Sequence, residues 1–313
     1  MKRGFHGLVV EDGTEDEAHP LAPFFRWFPL VERGAAAALS LAMARRERLP
    51  EIAVRAPLFF HGVVQVSATA DGYVAEAPRL QVTISGGATR LRLVIEGEGT
   101  PPYAAGIVHV ALLFALRFHG LYDLHAGAAV FEGQTVLVVG DSGAGKTTTT
   151  LALALPGGRL GGLLGDDRVL VREDDPLTLL AYPRSLHLGP TTRGLFPELP
   201  AWPVAGEAKA EAEIPTGTLT LAGAAVAAIL LPHITDAEET SVTRATAADA
   251  FGQLLVSAAI AFVDGVPGRD AHLACLQRLA TIPAYHLALG QDARVSPSVI
   301  AATVRRIPVF SLS

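Results

Sequence analysis

Between residues 52 and 96, apolar and polar positions alternate in VVQVSATA, YVAEAPRLQVTISG and ATRLRLVIEG, with Asp71-Gly72 and Gly86-Gly87 between the runs. Alternation sends one set of side chains to one face of a strand, and Asp-Gly and Gly-Gly steps suit tight hairpins. The stretch therefore predicts a small antiparallel sheet. Residues 1–50 are less regular, with acidic Glu11–Glu17 and with Pro20, Pro23 and Pro29 around the aromatic cluster Phe24, Phe25, Trp27 and Phe28. Residues 31–48 hold Ala and Leu over several turns and end on Arg45, Arg46 and Arg48. That pattern predicts a helix whose basic end suits the negative pole of its dipole. Gly97–Pro102 reads as a turn, and Tyr103–Phe118 is apolar nearly all round, as a buried helix is.

From His125 the order becomes strand, glycine loop, helix, strand. Gly127–Phe131 and Thr135–Val139 are short apolar runs with β-branched residues, Lys146–Leu155 has a helical pattern, Leu160–Leu164 leads into Asp166-Asp167, and Val169–Arg172 is a further short strand. Mixed strands and Pro-rich loops follow residue 183. Helices are expected at Ala247–Phe262, at Ala271–Ala280 before Pro283, and at Ser296–Arg305 with Pro297 in its first turn. The composition shift near residues 97–120 marks the division into a β-rich part, 1–100, and a larger α/β part, 101–313. The helix in between fits either side. With strands also grouped apart from helices, the class is α/β in its core and α+β overall.

The balance of 25 basic and 31 acidic residues gives a net charge of −6 and a pI near 5.9, which argues against a nucleic-acid binder. The start, MKRGFHGLVVEDGTEDEAHP, has too brief an apolar stretch for a signal peptide. No apolar run reaches the roughly 18 residues of a membrane span. The nearest are Ala104–Leu116, interrupted by His109, and Leu219–Leu231. A lone cysteine, Cys275, excludes an internal disulfide and a Cys-rich zinc site. The expected setting is the cytoplasm. Only Lys2, Lys146 and Lys209 are lysines, so the composition prefers Arg wherever a cation is needed. Each lysine is worth asking about.

Lys146 closes Gly140-Asp141-Ser142-Gly143-Ala144-Gly145-Lys146-Thr147, which fits the phosphate-binding loop G-x-x-x-x-G-K-[ST]. The apolar run Val136–Val139 precedes it and Thr148–Leu155 can open a helix after it. Glycines let consecutive N–H groups curl around phosphate oxygens, and the helix N-terminus adds free donors and a favourable dipole. Lys146 then reaches the β- and γ-phosphates of ATP, and the Thr147 hydroxyl ligates Mg²⁺, with Thr148 beside them. The tetrapeptide Gly140–Gly143 also matches the nucleophile motif of trypsin-like proteases. It lies wholly inside the loop, and those enzymes need an all-β double barrel. Phosphoryl transfer further needs carboxylates, and Asp166 and Asp167 stand 20 and 21 residues after Lys146 at a strand end. One acid can support the metal while the other takes a hydroxyl proton. Asp174-Asp175-Pro176 reads as an ordinary acidic turn. His109, His119 and His125 show no metal-ligand spacing.

Together, Leu124-His125-Ala126, the run Val136–Thr147 and Leu164-Gly165-Asp166-Asp167 resemble the HPr kinase/phosphorylase family. This is a P-loop group related in architecture to ATP-dependent phosphoenolpyruvate carboxykinase. The resemblance is close over residues 120–172 and loose elsewhere: a β-rich N-terminal part, Pro183-Arg184 after the second strand and Pro283–Leu287 near the end. It implies a P-loop core on a mixed sheet. It also implies an ATP- and Mg²⁺-dependent kinase that phosphorylates a hydroxyl, most naturally a serine of a peptide or small protein. His125 would then lie beside the transferred phosphate, Asp167 would be the general base and Asp166 would support the metal. Arg184 and Arg193 are candidates to neutralise phosphate charge, and Lys209 is a candidate to approach the nucleotide. Thr192–Phe196 only echoes the Arg-Gly-Leu-Gly signature of HPr kinases, so the wider class of hydroxyl kinases is preferred over HPr itself. An ATP-binding regulatory module and a small-molecule kinase on the same core are the alternatives. The rings formed by HPr kinases leave a homo-oligomer open.

Overall fold

The computed structural model describes residues 2–5, 8–12, 21, 25, 28, 38–155, 162–199, 201–203, 210–212 and 224–310. The chain is a mixed α/β protein with open mixed sheets, and it divides into two compact units. One comprises Met1–Tyr122 with Phe262–Arg269, and the other Asp123–Ala261 with Asp270–Ser313. The division falls after Tyr122 rather than at residue 100, so the helix near residue 110 goes with the β-rich unit. The stretch around Pro23 and Pro29, Leu160, and the segment carrying Lys209 lie outside the described residues.

The first unit is built on eight strands: β1 (Lys2–Phe5), β2 (Leu8–Asp12), β3 (Leu39–Arg46), β4 (Val54–His61), β5 (Val64–Thr69), β6 (Gly72–Ala77), β7 (Leu80–Ser85) and β8 (Arg90–Glu96). They pair in the order β1-β2-β3-β8-β7-β6-β5-β4. From β4 to β8 each strand is antiparallel to the next, as the alternating pattern predicts. The long run from Tyr73 to Gly86 contains a further turn at Pro78-Arg79, with Arg79 at φ 62°. Helix α1 (Ala104–Leu116) covers one face and is buried at every position from Val110 to Leu116. Its Phe114 ring meets Tyr73 edge-on at 4.7 Å and stacks near Phe59 at 6.2 Å.

One element differs in kind from its expectation. The helix predicted over 31–48 is absent from its described part, where Leu39–Arg46 is a strand. That strand pairs in parallel with both β2 and β8. Leu39 and Leu41 are buried and Ser40 is not, which is a two-residue period. Ala and Leu favour a helix by only a few tenths of a kcal/mol per residue, and two flanking ladders outweigh that preference. Arg45 consequently caps no helix. It donates to the Gly99 carbonyl at 2.6 Å and to Thr100 Oγ1 at 2.9 Å. The two parallel pairs make this sheet mixed, not wholly antiparallel.

The second unit begins within β9 (Leu121–Leu124) and continues through β10 (Gly127–Phe131), β11 (Gln134–Val138), α2 (Lys146–Ala154), β12 (Leu163–Gly165), β13 (Val169–Arg172) and β14 (Thr178–Ala181). After these come β15 (Leu186–Leu188), α3 (Pro190–Leu195), β16 (Ala201–Pro203), β17 (Ala210–Ala212), β18 (Ala224–Ile234), β19 (Ser241–Arg244), α4 (Ala247–Ser257), α5 (Arg269–Leu279), β20 (Ala284–Leu289) and α6 (Ser298–Val304). The helix expected over 247–262 stops at Ser257, and a short 3-10 turn takes over at Ala259–Phe262. Pro297 precedes α6 as its cap residue, one position earlier than expected.

The main sheet runs β12-β10-β11-β18-β14-β13-β9, with β20 also on β18 and β19 on β20. At its centre β11, β18 and β20 are parallel neighbours. The eleven-residue β18 serves two groups of strands, since Ala224 and Ala225 pair with β14 while its later residues pair with β11 and β20. On one face, α2 and α6 bury Leu151, Leu153, Ile300 and Val304 against Val136, Val138, Leu230 and Leu287. A separate small sheet, β15-β17-β16, puts Leu186, Leu188 and Ala212 into the same core.

Gly127 sets how closely α2 approaches β10. A Cβ there would stand 2.0 Å from Thr150 Oγ1 and 3.3 Å from the Asp166 carbonyl. Gly127→Ala is therefore expected to destabilise the protein by about 1–3 kcal/mol through overpacking. Thr150→Ala removes the obstructing hydroxyl, which is buried and has no hydrogen-bond partner among the described residues. Adding it to Gly127→Ala should restore much of the loss, as read by urea denaturation of the four species in a double-mutant cycle.

Candidate active site

The glycine loop leaves the C-terminal end of β11, beside the same ends of β18 and β20. Ligands of open α/β sheets collect there, because parallel strands present their helix N-termini on that side. The packing behind the loop is close. A Cβ on Gly140 would lie 3.4 Å from the Pro232 carbonyl, and one on Gly145 would lie 2.4 Å from Leu289 Cδ1. Gly145 also has φ 98° and forms the N-cap of α2 without any side-chain cap. A residue with a side chain is excluded there twice, by conformation and by space. The Ala144 amide donates to the Asp141 carbonyl at 3.2 Å, which closes the curl. Asp141, Ser142 and Gly143 are exposed at its tip, and Ala144, Gly145, Thr147 and Thr148 are half-buried.

Lys146 is buried, with 7% of its surface accessible. Its Nζ donates to the Gly140 carbonyl at 2.7 Å and to the Asp141 carbonyl at 3.0 Å. The ammonium thus spans the mouth of the loop from inside. Thr148 Oγ1 lies 2.8 Å from Thr192 Oγ1, so a hydroxyl pair joins α2 to α3.

Asp166 and Asp167 follow β12, and the structure gives them different surroundings. Asp166 is 2% exposed, and Asp166 Oδ2 accepts from the His187 amide at 3.3 Å. Burial, reinforced by the adjacent Asp167 charge, pushes its carboxyl up to about 7. Asp167 is more open. Its Oδ1 lies 3.4 Å from His125 Nδ1, and its Oδ2 accepts from Arg184 Nη1 at 3.0 Å. Burial alone would raise its pKa. The Arg184 guanidinium, His125, Arg168 and His187 together reverse this and hold the carboxyl below the ordinary carboxylate range. The pair is therefore divided into a buried carboxyl that ionises only near neutrality and a partly open one that is ionised well below it.

His125 follows β9, and its amide donates to the Ser257 carbonyl at the end of α4, at 2.8 Å. Burial lowers its pKa. Asp167 works against this, and the nearby Lys146 and Arg168 charges work with it. His125, Asp167 and the loop lysine thus form one electrostatic group, although they come from three separate stretches of chain.

Among the residues singled out from the sequence, His125, Lys146, Asp166, Asp167 and Arg184 come together. Arg193 follows Thr192, the residue hydrogen-bonded to Thr148. It is exposed on α3 and makes no ion pair among the described residues. Asp174 pairs locally with Arg172 at 2.6 Å, as an acidic turn does. Three further residues at the site carried no recognised motif. His187 stands 3.1 Å from Arg184 Nη2 through its Nδ1, and its Nε2 is 3.7 Å from Glu211 Oε1. Asp123 and Arg168 form an ion pair beside the acids. A charged residue inside the otherwise apolar run Leu121–Leu124 was the available signal for Asp123.

Compared with protein-family models and with curated protein sequences, the chain matches none. Among the described residues, no helix is long and apolar enough to cross a membrane. No group of three or more His, Cys, Asp or Glu side chains there is arranged to hold a metal ion.

Proposed function

We propose that the second unit is an ATP-dependent kinase of the HPr kinase-like type that transfers the γ-phosphoryl group to a hydroxyl, most naturally a serine of a peptide or small protein. The observation that carries this reading is the placement of Asp167 against His125, next to a buried Asp166, with His125 itself within electrostatic reach of Lys146. A protein that only bound nucleotide would need the glycine loop and not this arrangement of acids.

The residues suit the substrate and the metal they would hold. The loop amides from Gly140 to Lys146 and the N-terminus of α2 form a concave set of donors, which suits an anion with several oxygens. Thr147 and Asp166 supply hard oxygen ligands, which suit Mg²⁺, and that ion would offset phosphate charge when bound. Lys146 exchanges its two loop carbonyls for phosphate oxygens. Asp167, being ionised, accepts the proton of the acceptor hydroxyl as the oxygen attacks. Arg184 keeps that carboxylate oriented through Oδ2 and leaves Oδ1 facing His125. In this reading His125 lies beside the transferred phosphoryl group with its Nδ1 turned to Asp167 Oδ1.

The test is incubation of the full chain with γ-labelled ATP, Mg²⁺ and a mixture of serine- and threonine-containing peptides. Label appearing on peptide hydroxyls is the expected result. ATP binding with neither hydrolysis nor transfer would overturn the kinase reading and favour a regulatory nucleotide-binding module.

A further inference from the structure

We propose that the Asp123–Arg168 ion pair is a positioning clamp that holds Asp167 opposite His125. The chemical purpose of the clamp rests on the kinase reading above, whereas its geometry does not.

Arg168 Nη1 donates to Asp123 Oδ2, and the two side chains are only 13% and 11% exposed. Each partner is tied at short range to one half of the facing pair. Asp123 lies two residues before His125, at the end of β9. Arg168 is the residue after Asp167 and closes the turn out of β12. That turn is tight, since a Cβ on Gly165 would fall 2.4 Å from the Arg168 carbonyl. The Arg168 backbone therefore cannot shift without carrying Asp166 and Asp167 with it. On the other side, the His125 amide is fixed to the Ser257 carbonyl at 2.8 Å and the Ala126 amide to the Leu124 carbonyl at 2.9 Å. The ion pair is a side-chain link between two supports that the β10–β12 ladder, with Ala128 opposite Gly165, already sets side by side.

Stability alone is a poor reason for such a pair. Two charges withdrawn from water regain by mutual attraction about what they lose in hydration, and apolar side chains of the same volume often do better. This pair is also incompletely satisfied, because Arg168 Nε is buried with no hydrogen-bond partner among the described residues. What a fixed ion pair supplies better than apolar packing is direction and register. The buried Tyr182 hydroxyl, whose pKa is raised by burial, lies within electrostatic reach of Arg168, Arg184 and Asp123.

The experiment compares wild type with Arg168→Met, Arg168→Lys and Asp123→Asn in the full chain. Four quantities are read: single-turnover transfer from γ-labelled ATP to the peptide mixture, ATP affinity, melting temperature, and the imidazole resonances of His125 by nitrogen-edited NMR. Misplacing a catalytic group by about an ångström costs on the order of 10²-fold in rate. Arg168→Met is therefore expected to lower kcat by that order, with ATP affinity within about twofold of wild type, displaced His125 resonances, and a lower melting temperature because Asp123 is left as a buried charge without its cation. Arg168→Lys should regain part of the rate. If Arg168→Met does not fold, Asp123→Asn carries the same comparison. Parallel loss of rate, ATP affinity and melting temperature would mean a purely structural pair, and unchanged rate and resonances would mean no role; either overturns the clamp. If wild type transfers no phosphoryl group, the kinase reading fails by itself. The His125 resonances then decide the clamp, and their failure to move in Arg168→Met overturns it.

Discussion

Asp167→Asn is expected to lower phosphoryl transfer by about 10²–10⁴-fold, the usual contribution of a general base, while ATP binds almost as before. The substitution keeps the shape of the side chain, and an amide oxygen can still accept from Arg184 Nη1, which lies 3.0 Å away in the wild type. What it removes is the negative charge that Arg184, His125, Arg168 and His187 stabilise. Without that charge the acceptor hydroxyl has no group to take its proton. The neighbouring Asp166 also loses the second cause of its raised pKa and becomes easier to ionise. Single-turnover transfer, measured alongside ATP affinity, separates the two steps. Transfer at the wild-type rate would remove Asp167 from the role of base, and equal losses in both quantities would assign it to nucleotide binding.

Lys146→Met is the second large effect, and here binding and transfer should fall together. The methionine keeps the apolar stem and removes the ammonium that links the Gly140 and Asp141 carbonyls at 2.7 and 3.0 Å. The variant loses a cation for the phosphates and also the internal tie between two carbonyls of the loop. Deleting one preorganised charge-stabilising donor costs on the order of 10²–10³-fold in rate, and weaker ATP binding adds to it. Titration calorimetry with ATP and single-turnover transfer measure the two parts. Lys146→Arg should rescue little. A planar guanidinium is larger than an ammonium and cannot converge on two carbonyls from one atom. Near-normal ATP binding by Lys146→Met would show that the loop does not hold phosphates in the way described.

The glycine loop was legible in the sequence because all of its determinants are contiguous. A β-branched strand, a run of glycines and a helix N-terminus follow one another within about twenty residues, and each imposes its conformation locally. The hairpin turns at Asp71-Gly72 and Gly86-Gly87 were legible for the same reason. Asp166 and Asp167 could be placed at a strand end, and only the family resemblance gave them separate parts. Their different surroundings come from Arg184 and His125, brought in from 17 and 42 residues away, and from the depth of burial of each acid. Arg193 shows the opposite limit, since it lies close in sequence to the cluster and its side chain stays exposed.

By itself, then, the sequence determined the local geometry of the glycine loop, the alternating strands of the first unit, the buried helix α1 and the lysine at the loop's end. Tertiary structure alone decided that Leu39–Arg46 is a strand, because the ladders with β2 and β8 exceed a weak helical preference. It alone brought Asp123 to Arg168 across 45 residues and shut both charges away from water. Interactions within a turn or two act wherever those residues occur. Burial and charge pairing exist only once distant segments have closed around a group, and they set how readily each carboxyl ionises.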